Sequence, residues 1–190
     1  MDKTQIKKLS YIIGAAIGDG NLSNSNGRAV RLRITCDNKY PDIIKKITED
    51  ISIILPTNKV SLIKRTGCID VSCYSNKWEK LLGWKALNGS KEKQKICIPK
   101  WIFEDKKYIR NCLLGLFQTD GSIYKDRKYT YVNFTTIIPS LLKDTQKMIE
   151  VLGYKPNIQK SKQKNNKIKY VIRISKNTKA FIKEIKLWKK

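Results

Sequence analysis

The segment Ile12-Ile13-Gly14-Ala15-Ala16-Ile17-Gly18-Asp19-Gly20 returns in altered form as Leu113-Leu114-Gly115-Leu116-Phe117-Gln118-Thr119-Asp120-Gly121, 101 positions further along a chain of 190 residues. A repeat on the scale of half the chain organises the fold before any single residue is considered. It predicts two related halves about a pseudo-twofold axis, each contributing one carboxylate at the end of an apolar stretch.

Charge says what such a molecule would meet. The formal net charge is +24, with 19 Lys+Arg against 9 Asp+Glu in residues 1–101 and 21 against 7 in 102–190. Both halves are therefore cationic, and a polyphosphate backbone is the expected partner, because each neutralised phosphate releases condensed counterions. An acidic membrane surface is the rival. It is disfavoured because no segment combines a long apolar face with a continuous lysine face. The chain has no histidine, so its chemistry falls to carboxylates, lysines, tyrosines and five cysteines. Cys36, Cys68, Cys73, Cys97 and Cys112 form no C-x-x-C pair, which argues against zinc and against a disulfide framework. Reduced, mostly buried thiols are expected. There is no leader-like h-region after Met1, and the longest apolar run, around Tyr11 to Ile17, is too short for a bilayer. A soluble intracellular protein is expected, with no membrane partner and with cytoplasm and organelle not distinguished.

Residues 3–18 read as a helix capped by Asp2 or Thr4 and stopped at Gly18-Asp19-Gly20, with Ile6, Leu9, Ile13 and Ile17 on one face. Val30, Leu32 and Ile34 alternate with Arg31, Arg33 and Thr35, the pattern of a half-buried strand with a cationic outer face. A helix over 41–55, a hairpin of 59–64 and 69–74 around Thr66-Gly67, and a short helix near 76–84 follow. The second half repeats the order, with a helix from Asp105 to Thr119, a strand over 129–135, a helix over 140–152, a hairpin of 158–162 and 168–175, and a last helix over 180–187. The strand directly after each Asp-Gly is too short or irregular to delimit. The pattern is α+β, two αββαββα halves. Residues 1–84 form the first half, 85–101 a connector and 102–190 the second half.

Gly14 and Gly18 lie four apart on the first helix, as do Gly115 and Thr119 on the second. Small-residue stripes of this kind let two helices pack at short axial distance. If the helices run the same way about the pseudo-dyad, Asp19 and Asp120 emerge together at two negative helix ends. They then repel unless a cation or proton lies between them. An oxygen-preferring divalent ion, Mg²⁺, is the natural occupant, with Mn²⁺ expected to substitute and Ca²⁺ to bind without supporting cleavage. Carboxylates, metal and a cationic surface point to phosphodiester hydrolysis.

The paired motifs, the basic strand and helix after each, and the connector ending Ile96-Cys97-Ile98-Pro99-Lys100-Trp101-Ile102 resemble a LAGLIDADG homing endonuclease of the single-chain, two-motif type. The resemblance implies a saddle of two αββαββα halves, motif helices at the central interface, and two antiparallel sheets in the major groove of double-stranded DNA. It also implies a long, partly degenerate target cut across the minor groove to leave 3′ overhangs. Asp19 and Asp120 match the acidic position and would hold the catalytic metals. Gly18 and Thr119 stand where the family motif has Ala, and Gln118 replaces an acidic residue. Among the peripheral residues that relatives place around the metals, Lys39 is the candidate in the first half, beside Asp37, and Thr135 or Thr136 in the second. With the sheets on DNA, the alternation nominates Arg31, Arg33 and Thr35, then Tyr129, Tyr131 and Asn133, with Lys169 and Arg173 on the last hairpin. The basic 159–169 arm would follow the DNA backbone. The duplication supplies the dyad, so a monomer without a protein partner is expected. Two rivals stay open: an intron RNA maturase, and a non-cleaving DNA-binding regulator on the same scaffold.

Overall fold

The computed structural model describes residues 1–24, 27–163 and 166–188. The first half runs α1 (Lys3–Asp19), β1 (Gly20–Ser23), β2 (Arg31–Asp37), α2 (Pro41–Ile54), β3 (Val60–Arg65), β4 (Cys68–Tyr74) and α3 (Trp78–Leu82). A short 3-10 helix at Lys100–Glu104 leads into the second half. This comprises α4 (Lys106–Thr119), β5 (Gly121–Asp126), β6 (Tyr129–Thr136), α5 (Pro139–Val151), β7 (Asn157–Lys162), β8 (Ile168–Ile174) and α6 (Thr178–Glu184). Each half folds one four-stranded antiparallel sheet, ordered β1-β2-β4-β3 and β5-β6-β8-β7. The same strand order arises twice, which is the α+β, two-repeat architecture expected from the duplicated motif. No helix among the described residues is long and apolar enough to cross a membrane.

Local chemistry sets the helix starts. Asp2 accepts from the Gln5 amide at 2.8 Å while Gln5 Oε1 accepts from the Asp2 amide at 3.1 Å, a reciprocal cap on α1. Asp105 does half of this for α4, accepting from the Lys107 amide at 2.7 Å. Pro41 and Pro139 open α2 and α5, where a missing N–H costs nothing. The end of α1 differs from the usual glycine stop: Gly20 is extended, at φ −87° and ψ 151°. Glycine is needed there for space, since a Cβ would lie 2.4 Å from the Ala16 carbonyl oxygen. Gly121 meets Phe117 in the same way, at 2.5 Å. Helix thus turns straight into strand, and β1 and β5 begin at those glycines. The last helix is shorter than expected, because Lys186 adopts φ +52° and breaks the run. Of the basic arm, 159–162 and 168–169 are paired strand, whereas Lys164 and Asn165 lie outside the described residues.

α1 is buried on every side from Leu9 to Ile17, so the one-sided stripe expected for it understates its position. It lies between α4 and α2, and its contact with α4 is the most extensive between any two helices. A Cβ on Gly14 would lie 2.1 Å from the Cys112 carbonyl oxygen and 2.9 Å from the Leu116 nitrogen. A Cβ on Gly115 would lie 2.3 Å from the Tyr11 carbonyl oxygen and 2.6 Å from the Ala15 nitrogen. Tyr11 and Ala15 occupy the same places in the first motif as Cys112 and Leu116 in the second. The contact is therefore backbone on backbone and obeys the pseudo-dyad.

Gln118 crosses the same interface. It is buried, accepts from the Tyr11 hydroxyl at 2.7 Å and donates to the Trp188 carbonyl at 3.0 Å. An acid here would carry a charge into the core, and an amide serves both partners. Burial first, then the Asp50 and Cys36 charges, pushes the Tyr11 hydroxyl well above the ordinary phenol range, so it stays a donor.

Gly115→Val is expected to destabilise the fold by about 3 kcal/mol or more, because the neighbouring atoms are backbone and cannot give way. Gln118→Leu, which strands the Tyr11 hydroxyl and the Trp188 carbonyl, should cost about 1–3 kcal/mol. Urea unfolding of the two variants checks both values.

Candidate metal centre and nucleic-acid interface

The helix crossing delivers the two acids to one place. Asp19 is the last residue of α1, and Asp120 caps α4, its backbone N–H donating to the Leu116 carbonyl at 3.0 Å. A Cβ on Gly18 would lie 2.0 Å from Thr119 Oγ1 and 3.3 Å from the Asp120 carboxyl carbon. The Asp120 carboxyl thus lies against the residue that precedes Asp19. Thr119 fits this crowded junction by turning its hydroxyl back onto its own helix, to the Gly115 and Leu116 carbonyls at 3.0 and 3.2 Å. Both motif aspartates are solvent-exposed. Among the described residues no group of three or more His, Cys, Asp or Glu side chains could hold a metal ion. A cation here would have two protein carboxylates and take its remaining ligands from water or phosphate oxygens. That donor set suits Mg²⁺ and Mn²⁺ and is foreign to structural zinc.

A residue that sequence reasoning did not nominate lies beside the acids. Lys91, in the connector, donates from Nζ to the Ala16, Ile17 and Gly18 carbonyls at 2.8, 2.6 and 2.9 Å. Burial lowers its pKa to about 8, while Asp120 and then Asp19 oppose that shift. The Cys36 thiol is pushed up to about 12, first by burial and then by the Asp19 charge, so β2 ends close to the same carboxylate. Lys39 is exposed just beyond β2, and its ammonium makes no hydrogen bond or ion pair among the described residues; its amide donates to Asp37 at 2.9 Å in a turn. Thr136 is buried, and its hydroxyl accepts from the Ile138 amide at 3.1 Å at the end of β6. All five cysteines are free, with Cys97 exposed and Cys68 partly so.

The strand register places the nominated contact residues on one face. In the first sheet Leu32 and Ile34 point into the core, so Arg31, Arg33 and Thr35 share the opposite face. Their cross-strand partners on β4 are Tyr74, Ser72 and Asp70. Asp70 is fully buried on this face: Thr35 donates to it at 2.7 Å, and Arg65 and Arg33 lie 2.8 and 4.0 Å from it. A carboxylate in mid-strand thus orients two guanidinium groups. Arg31 is held by the Ser23 hydroxyl at 3.3 Å. In the second sheet Val132 and Phe134 point inward, leaving Tyr129, Tyr131, Asn133 and Thr135 on the outer face. Tyr131 stacks on Tyr124 with ring centroids 5.2 Å apart, and Arg173 lies over Tyr131 at 5.6 Å. Arg173 pairs across strands with Asn133, and Lys169 lies four positions before Arg173, on the same face of β8. Tyr124 and Asp70 were not nominated from sequence. Arg33 Nε, Ser72 Oγ, Asn133 Oδ1 and Arg173 Nε are buried on these faces without hydrogen-bond partners among the described residues.

Residues 107–186 match the family model of the LAGLIDADG-like domain. Mesophilic variants of the homing endonuclease I-DmoI superpose with a TM-score of 0.70 at 18% identity, covering 96% of this chain and 97% of theirs. I-DmoI in complex with DNA and Mn gives 0.68 at 17%, covering 95% and 97%. Full-length DUF199/WhiA from Thermatoga maritima gives 0.66 at 14%, covering 99% of this chain and 58% of that one. A curated relative, the tRNA-splicing ligase RtcB of Methanopyrus kandleri, is 24% identical over 212 residues, 95% of this chain and 21% of the ligase. This chain therefore spans about a fifth of that relative's length. Residues 107–186 are thus similar to a LAGLIDADG-like domain, and the half that precedes them repeats the same strand order.

Proposed function

We propose that this protein is a site-specific double-strand DNA endonuclease that hydrolyses phosphodiesters with a divalent metal. The observation that carries the reading is the meeting of Asp19 and Asp120 at adjacent C-terminal helix ends, between two sheet faces that carry Arg31, Arg33, Lys169 and Arg173. Fold alone does not decide for cleavage, since WhiA shares it. The retention of both acids supports it, because two carboxylates at two negative helix ends are costly unless they bind a cation. Solved complexes of I-DmoI contain DNA with Mn or with Ca, which supports the same cargo here.

A divalent ion held by Asp19 and Asp120 would supply Lewis-acid stabilisation of charge developing on a phosphodiester. The protein's own part is placement. The helix pair fixes the two carboxylates, the lysine-rich periphery holds phosphates, and the outer sheet faces read base edges. Arg33, oriented by Asp70, is suited to guanine, and Asn133 to adenine. Lys39 is retained as a peripheral candidate on its position beyond β2. Cleavage across the minor groove with 3′ overhangs, one strand per acid, completes the reading, with the protein acting as a monomer from residues 1–84 and 102–190 joined by 85–101.

Incubating a randomised DNA library with wild-type, Asp19→Asn and Asp120→Asn proteins tests the reading. Mg²⁺-dependent cutting at one family of sites is expected, abolished by EDTA. Each variant should lose double-strand cleavage by about 100-fold or more and leave nicked product. Binding to DNA or intron RNA without cutting in any divalent metal would move the protein to the regulator or maturase class. Once a target is known, Arg33→Ala should cost about 1–3 kcal/mol at a single base pair, read by competition binding across singly substituted sites.

A further inference from the structure

The first turns of α1 and α4 carry cations that the two-carboxylate site does not use. The glycine contacts pair early residues with early and late with late, so the two helices run the same way, and Lys3 and Lys7 lie with Lys107 at the ends remote from the acids. From Lys7 to Asp19 the helix rises about 18 Å, at roughly 1.5 Å per residue. Between α1, α2 and α4 these lysines line a recess of about 500 Å³ that Lys8 and Lys46 complete, five lysines against two carboxylates. Both carboxylates are engaged. Asp50 is buried and takes Lys8 on one oxygen at 2.5 Å and Lys46 on the other at 2.8 Å, so one acid holds two ammonium groups in place and leaves a surplus of positive charge. Asp105 accepts from the Lys107 amide as the cap of α4. Among the described residues Lys3, Lys7 and Lys107 form no ion pair.

A second recess of about 350 Å³ continues the first, sharing Lys7, Lys107 and Asn111 and adding Arg110 and Lys186. None of the residues lining either recess belongs to a strand, so this face is separate from the outer sheet faces assigned to duplex DNA. At the other edge, Tyr108 borders both the cationic recess and an apolar one lined by Ile6, Leu9 and Trp101. The Tyr108 and Trp101 rings meet edge to face with centroids 5.5 Å apart.

We propose that this helical face is a second nucleic-acid site, which takes a single strand whose phosphates follow Lys3, Lys7 and Lys107 while a base enters beside Tyr108 and Trp101. Phosphodiester is the fitting anion, because a track of cations along a groove gains from the counterions that a charged chain releases. A single strand is favoured over a duplex because only an unpaired base can enter an aromatic recess, and cationic grooves edged by aromatic rings bind single strands in this way. Inorganic polyphosphate would engage the lysines and leave the aromatic edge idle. The proposal goes beyond the endonuclease reading and does not depend on cleavage at Asp19 and Asp120.

Fluorescence anisotropy with labelled twelve-residue oligothymidylate and oligouridylate, in EDTA and about 0.1 M salt, tests it, the tighter of the two identifying the strand and being carried through the variants. The Lys3→Glu, Lys7→Glu, Lys107→Glu triple variant should bind at least about 30-fold more weakly, and Lys7→Glu alone about fivefold. Acids in the first turn of a helix suit its dipole, so the fold should be kept. A control of equal charge change, Lys77→Glu, Lys143→Glu, Lys155→Glu, at exposed positions off the groove, should lose less than about threefold. Tyr108→Leu should weaken strand binding by at least about fivefold and leave binding of inorganic polyphosphate unchanged. Equal loss in the groove and control triples would overturn the site. Strand binding indifferent to Tyr108→Leu, or polyphosphate binding weakened as much as strand binding, would overturn the nucleic-acid assignment.

Discussion

Two helices meet here backbone to backbone at a pair of glycines, and the rest of the molecule is arranged around that contact. Gly14 and Gly115 let α1 and α4 bring backbone atoms within reach of one another, and Gly18 leaves just enough room for Thr119 and Asp120. Burial supports this closeness, with α1 surrounded from Leu9 to Ile17, and so does the hydrogen bond from Tyr11 to Gln118 across the contact. Each helix then turns directly into a strand at Gly20 or Gly121, so the distance between the helices also sets the position of the first strand of each sheet. A change of crossing would move the acids and the sheets together.

The same contact creates an electrostatic difficulty that defines the site. Two carboxylates and two helix C-termini are gathered at one point of a chain whose net charge is +24. The surrounding cations make the outer sheet faces attractive to phosphate, whereas the centre is a local negative spot that suits a hard cation. Lys91 bonds the last carbonyls of α1 from a distance of 73 to 75 residues along the chain, and the connector that carries it also bonds to α5 in the second half. The connector is thus part of the site rather than a tether. On the sheets, the buried Asp70 carboxylate fixes the direction of the Arg33 and Arg65 guanidinium groups.

What could be seen in the sequence follows from whether a feature leaves a local pattern. The repeat, the capping Asp2 and Asp105, and the Thr66-Gly67 hairpin all do. So do the outward faces of β2 and β6, where Leu32, Ile34, Val132 and Phe134 alternate with polar neighbours and disclose the register. β5 was not delimited because only Gly121 in it is buried and nothing alternates, and Tyr124 was hidden with it. The glycine at the end of α1 misled in kind, since its lack of a side chain serves close approach and not a left-handed turn. Lys91 left no trace: it is one of 40 basic residues, in a polar connector, and its partners are the carbonyls of a distant helix. Asp70 did leave one, an acid in the middle of an otherwise strand-forming run, where acids are depleted.

The central claim is that Asp19 and Asp120 together form one divalent-cation site, and thermal unfolding of the DNA-free protein across a Mn²⁺ titration addresses it most directly. An ion that binds only the folded state raises the melting temperature in proportion to the logarithm of its concentration above the dissociation constant. The account predicts such a rise for wild-type protein and its loss in the Asp19→Asn, Asp120→Asn double variant, which should be the more stable of the two without metal because the repulsion is gone. No Mn²⁺-dependent rise in the wild type, or an equal rise in the double variant, would contradict it.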